Sequence, residues 1–148
     1  MTTKIKNIQF FEFNYGDEFD GNICFLFEDG KYLFYKQPIG IVIDLAAAED
    51  TLTMKQHNLL ASTLNDIYLL QWENEYSNPH INDSVYWDIE IRYNDHNDTI
   101  KFSGSNAYPQ SSLDDGQVVI TNSEFTTPDF EKLLSTLNTI VGEEKYFS

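Results

Sequence analysis

Apolar and polar residues alternate most clearly over residues 85–93. Val85, Trp87, Ile89, Ile91 and Tyr93 share one parity, and Tyr86, Asp88, Glu90 and Arg92 share the other. A period of two predicts a strand with its apolar set on the core and its charged set in water. Residues 94–98 turn the chain, and residues 99–103 return as the hairpin partner. Residues 5–15 also read as a strand, but the alternation slips: Ile8 and Phe10 have one parity, and Phe11, Phe13 and Tyr15 the other. A bulge near Phe10 and Phe11 reconciles the two. Residues 22–27 are apolar on both parities, which predicts a central strand covered on both sides. Asp29-Gly30 is a two-residue hairpin signal leading into a strand over 31–37. Short strands are expected at 39–43 and 117–121.

Two segments change to helical spacing. Leu52, Gln56, Leu59, Leu60, Thr63, Leu64, Ile67 and Gln71 recur every three or four residues, predicting a helix over 53–72. Phe130, Leu133, Leu134, Leu137, Ile140 and Val141 form a second stripe. Thr127 stands as its N-cap, Pro128 as its first residue and Gly142 as its stop. The order is strands, helix, strands, helix. The expected fold is α+β: an antiparallel sheet of five or more strands with two main helices packed on it, in one domain spanning 1–148.

Trp72, Tyr76, the run Trp87-Asp88-Ile89-Glu90-Ile91-Arg92-Tyr93, and Gly104-Ser105-Asn106-Ala107-Tyr108-Pro109 resemble a small uncharacterised domain of Firmicute and phage proteins. The resemblance covers about half the chain. An Asp-Gly pair associated with the position before the second Trp is replaced here by Asn82-Asp83-Ser84. The resemblance implies an α+β fold and a Gram-positive or phage setting. It implies no activity and carries over no catalytic residue.

Charge sharpens the functional expectation. Twenty-four Asp and Glu oppose nine Lys and Arg, a net charge of -15 in 148 residues. Such a chain repels nucleic acid and anionic membranes and attracts basic surfaces. Aromatic residues make up 15% of it, so the acidity belongs to a folded body and not to a disordered tail. Residues 73–98 hold seven acids against Arg92 alone. The expected partner surface is Glu73, Glu75, Tyr76, Asp83, Tyr86, Asp88 and Glu90, where aromatics anchor and carboxylates select a basic partner. A single cysteine, Cys24, excludes an internal disulfide, and no run of apolar residues is long enough to span a membrane. These features, with an N-terminus lacking a signal-peptide pattern, lead to the expectation of a cytoplasmic protein.

Candidate chemistry is sparse. His57, His80 and His96 lie far apart in sequence. Asp95-His96-Asn97-Asp98 offers oxygen and nitrogen ligands, but Asp and Asn also satisfy turn backbone, and a calcium loop needs more ligands and a closing Glu. No metal and no cofactor are expected. Gly104-Ser105-Asn106 reads as a turn with Gly and Asn at positive φ, since no His base and no strand-to-helix elbow accompany the serine. Asp88 and Glu90 share a strand face about 7 Å apart, a pair capable of acid–base work, though two acids on a strand are more often simply solvated.

The expectation is therefore a non-enzymatic inhibitor. It presents an acidic surface to a basic nucleic-acid enzyme, in the manner of phage anti-CRISPR or anti-restriction proteins, and binds no nucleic acid itself. The alternatives are an immunity protein that neutralises a basic toxin nuclease and a carboxylate- or metal-dependent enzyme.

Overall fold

The computed structural model describes residues 4–17, 21–37, 50–78 and 85–142. The expected strand at 39–43 lies outside these residues. The strands are β1 (Ile8–Asp17), β2 (Gly21–Glu28), β3 (Lys31–Gln37), β4 (Asp50–Thr51), β5 (Glu75–Ser77), β6 (Val85–Tyr93), β7 (Ile100–Ser105), β8 (Tyr108–Asp114) and β9 (Gln117–Ser123). The helices are α1 (Met54–Asp66) and α2 (Pro128–Val141). The main sheet runs β4-β3-β2-β1-β6-β7-β5, and β8 and β9 form a separate ribbon.

The α+β class is as expected, but the sheet is mixed. β5 runs parallel to β7, with Tyr76 opposite Gly104, while the other pairings in the sheet are antiparallel. The parallel pairing follows from the path of the chain: after α1 it reaches the far edge of the sheet and crosses back to β6. The expected bulge is present as a register shift between Ile8 and Phe10. Asp29 (φ 49°) and Gly30 (φ 81°) make the β2–β3 hairpin turn, in which both central residues need positive φ.

Side-chain rows follow from register. Ile23–Tyr15–Trp87, Phe25–Phe13–Ile89 and Phe27–Phe11–Ile91 cross β2, β1 and β6 on the core side. Both helices cover this side. Phe130 of α2 meets Phe13, Tyr15, Trp87 and Tyr108, and His57 of α1 lies against Phe27. The helices lie antiparallel to each other, joined by the buried Thr63–Thr136 hydroxyl pair (2.7 Å), by Gln56 Nε2 donating to the Ile140 carbonyl, and by the Lys132–Asp66 ion pair.

Both helices start as their caps require. In α1, the Thr53 hydroxyl accepts from the Gln56 N–H while the Gln56 side chain accepts from the Thr53 N–H. In α2, Thr127 caps, Pro128 opens and Gly142 (φ 79°) closes. The first helix is shorter than its periodicity predicts. It stops at Asp66 because Tyr68 turns left-handed (φ 54°), and a 3-10 turn at Leu69–Gln71 keeps the spacing going. Ile67 and Leu69 stay fully buried, and the Trp72 indole donates to the Ile67 carbonyl, so the apolar pattern outlasts the helix. β8 has no counterpart in the expectations. Its Pro-Gln-Ser-Ser core carries neither alternation nor β-branched residues.

Gly104 has a role other than the one expected. It does not take positive φ; the neighbouring Asn106 does (φ 52°). A Cβ on Gly104 would lie 2.3 Å from Trp87 Nε1, so the glycine makes room for the indole. We expect Gly104→Ala to cost about 1–3 kcal/mol or more by overpacking, and Trp87→Ala about 3–5 kcal/mol by loss of core. Urea unfolding of the double variant should show a smaller total than the sum, because removing the indole removes the clash.

Candidate functional site

The second face of the main sheet gathers the carboxylates. Opposite parity on β1 and β6 puts Glu12 across from Glu90 and Asn14 across from Asp88. β7 adds Lys101 beside Glu90 and Ser103 beside Asp88, and β5 adds Glu75 beside Ser103. Two rows result. One reads Lys101–Glu90–Glu12–Leu26; the other reads Glu75–Ser103–Asp88–Asn14–Cys24. Toward β2 the face becomes apolar, and Cys24 and Leu33 are buried, in keeping with the two-sided apolar pattern of residues 22–27.

Like charges directly opposite in an antiparallel pair repel, so this arrangement must be offset locally. The Lys101 ammonium lies 2.8 Å from Glu90. The Asn14 amide donates to Asp88 at 2.9 Å. The offset is partial. Glu12 is held above its ordinary carboxyl range, first by burial, then by Glu90 and Asp88, against the opposing pull of Asn14 and Lys101. Asp88 is also raised, first by desolvation and then by Glu90, with Asn14 and Lys101 opposing. Lys101 is raised in turn by its bond to Glu90. The result is a face dense in carboxylates, with Lys101 paired to Glu90 and Arg92 on the same side of β6.

The expected partner residues divide. Glu75, Tyr86, Asp88 and Glu90 share this face, with Tyr86 47% exposed and Asp88 exposed as expected. Glu90 is half-buried, its side chain 25% exposed under Lys101. Glu73 is exposed just before β5. Asp83 lies outside the described residues. Tyr76 is a correction. It is buried, with its ring beside Trp87 and its hydroxyl accepting the Glu73 N–H at 2.7 Å. Trp72 is buried as well. Both rings belong to the core, because pairing β5 with β7 turns Tyr76 to the same side as Gly104.

Glu12 was not among the expected site residues. The available signal was its parity: Glu12 and Asn14 alternate with Phe11, Phe13 and Tyr15. Their position opposite Asp88 and Glu90 depends on which strands pair, and that is a long-range fact.

The other candidate chemistries are structural. In the 94–98 loop, the Asn94 side chain accepts from the Lys6 and Asn7 N–H groups and donates to the Lys4 carbonyl, pinning the N-terminal segment. His96 lies against Tyr93. Among the described residues no group of three or more His, Cys, Asp and Glu is arranged to hold a metal. In the 104–106 element, the Asn106 side chain accepts from the Val85 N–H, and its carbonyl accepts from Asn78. Compared with protein-family models, curated proteins and solved structures, the chain matches none.

Charge crowding predicts a pH signature. Glu12 and Asp88 have folded values above their ordinary 4.5 and 3.8, so the folded state holds these protons more tightly than the unfolded chain. Their stabilising contribution is full below the ordinary values and is lost as pH rises through the raised ones. Glu12→Gln and Asp88→Asn should therefore be more stable than the parent at neutral pH. In urea titrations across pH, that advantage should shrink to nothing below about pH 4.

Proposed function

We propose that this chain is an acidic binding protein that occupies the nucleic-acid groove of a basic enzyme and inhibits it. One observation carries the reading: Glu12, Asp88 and Glu90 are packed on two adjacent strands, with Glu75 on the same face, in a chain of net charge -15. Neighbouring strands stand about 5 Å apart, and same-face residues along a strand about 7 Å apart. Carboxylates at these spacings approach the charge density of a nucleic-acid strand, with about one phosphate per 3.4 Å of rise. Arg and Lys side chains that grip phosphates would grip them equally. Tyr86 supplies an exposed aromatic contact beside them.

Binding is preferred to catalysis on geometric grounds. The carboxylates lie side by side along one face of the sheet, and two recessed surfaces that border α1 are lined by other residues. The setting proposed is cytoplasmic, and the class that of phage inhibitors of CRISPR or restriction nucleases. No helix among the described residues is long and apolar enough to cross a membrane.

The test is capture of the partner from host lysate, followed by competition with nucleic acid. The captured protein should be basic, and it should release either this chain or nucleic acid when the other is added. Glu75→Lys, Asp88→Lys and Glu90→Lys should each slow association and make it less salt-sensitive. Asp98→Lys, at an exposed loop position, should do so much less. Simultaneous, independent binding of nucleic acid and this chain would end the mimic reading.

A further inference from the structure

The ribbon formed by β8 and β9 has one closed edge and one open edge. Asp115 (φ 50°) and Gly116 (φ 78°) make a two-residue turn between the paired residues Asp114 and Gln117. In such a hairpin, hydrogen-bonded and non-bonded pairs alternate away from the turn. The pairs Leu113–Val118, Ser111–Ile120 and Pro109–Asn122 are then the non-bonded ones, and their backbone groups point outward. On β8 the groups of Ser111 and Pro109 are occupied, while Leu113, next to the turn, makes no such bond with any described residue. The Ser111 N–H donates to Asp129 Oδ2 at 2.8 Å, its carbonyl accepts from Gln110, and the Pro109 carbonyl accepts from the Thr127 hydroxyl at 2.7 Å. The first turn of α2 thus seals that edge at Ser111 and Pro109, and proline has no N–H to seal.

On β9 the outward N–H and C=O groups of Val118, Ile120 and Asn122 receive no hydrogen bond from any described residue. The strand Gln-Val-Val-Ile-Thr-Asn-Ser has no charge, no proline, no glycine and no bulge. Folded proteins normally protect a free edge with one of these devices or by keeping the strand short. At the β5 edge of the main sheet the strand has three residues, whereas β9 has seven. Leu113, Val119 and Phe125 stand exposed around the same ribbon.

We propose that the free edge of β9 accepts an extended strand from a basic partner protein by β-addition, a contact separate from the carboxylate face. Charge decides the occupant. Residues 108–125 contain Asp114, Asp115 and Glu124 and no Lys or Arg. Antiparallel pairing of β9 with a second copy would bring Asp115 of one chain toward Glu124 of the other, between molecules of net charge -15 each. A strand with apolar residues at alternate positions and lysine or arginine at its ends meets no such opposition. Main-chain bonds to Val118, Ile120 and Asn122 would give affinity, and its side chains would lie beside Val118 and Ile120 on one face and Val119 on the other.

The probe is a synthetic peptide of alternating Val and Thr with lysines at both ends, compared with the same peptide ending in glutamates. Amide hydrogen exchange of the full chain is read by residue. In the free protein, Val119 and Thr121, bonded to β8, should exchange slowly, and Val118, Ile120 and Asn122 quickly. The lysine peptide should slow Val118, Ile120 and Asn122 by about tenfold or more, and the glutamate peptide should not. Val118→Pro removes an outward N–H and leaves the ribbon's own bonds intact, so it should abolish this protection. Three results would overturn the proposal: no protection by the lysine peptide, equal protection by the glutamate peptide, or a parent chain that sediments as a dimer and becomes monomeric on Val118→Pro. Asp88→Lys should leave the peptide effect unchanged, so failure here and failure of the carboxylate-face reading are read separately.

Discussion

Trp87 is the residue on which the sheet's two faces depend. Its indole lies on Gly104, donates to the Ala107 carbonyl at 2.7 Å, and meets the rings of Trp72, Tyr76 and Phe130. These contacts join β6 to β5, β7, α2 and the chain after the 3-10 turn. A strand's side chains alternate, so fixing one residue fixes them all: a slip by one would drive Asp88 and Glu90 into the core and Trp87 into water. The acid face is thus held outward by a bulky ring that fits only over a residue without a Cβ. Charge placement here is a consequence of core packing.

That placement has a cost to the fold. Glu12 faces Glu90 directly, with Asp88 one step along, and Lys101 and Asn14 relieve part of the repulsion. A sequence selected for stability alone would put Thr, Lys or an apolar residue at one of these positions. Under the function proposed above, charges that oppose folding in the free protein would be neutralised when a basic partner covered them.

Local signals carried the elements they govern. The strand at 85–93, the Asp29-Gly30 turn and the cap-to-cap limits of α2 rest on patterns within a few residues, and all are legible in the sequence. The failures are long-range or silent. Tyr76 reads as a surface anchor beside Glu73 and Glu75 until the parallel pairing with β7 turns it inward. Glu12 joins the site only because β1 pairs with β6 in that register. β8 carries no apolar period because its edge is satisfied by Asp129 and Thr127 of α2, residues that sequence reading assigns only to capping. Gly104 reads as a turn residue, and its actual role depends on a ring seventeen positions away.

The chain therefore treats its two β layers differently. The main sheet ends at β5 in a strand of three residues and carries charge on its second face, two features that discourage strand pairing. In the ribbon, α2 seals the β8 edge at Ser111 and Pro109, and the β9 edge is uncharged, without a bulge, seven residues long and unbonded among the described residues. Net charge links the two: at -15, self-pairing of the open edge is opposed by repulsion, so an unguarded strand is tolerable in this chain where it would be an aggregation site in a neutral one. The acidity acts alike at both surfaces, repelling other anions and other copies of the chain.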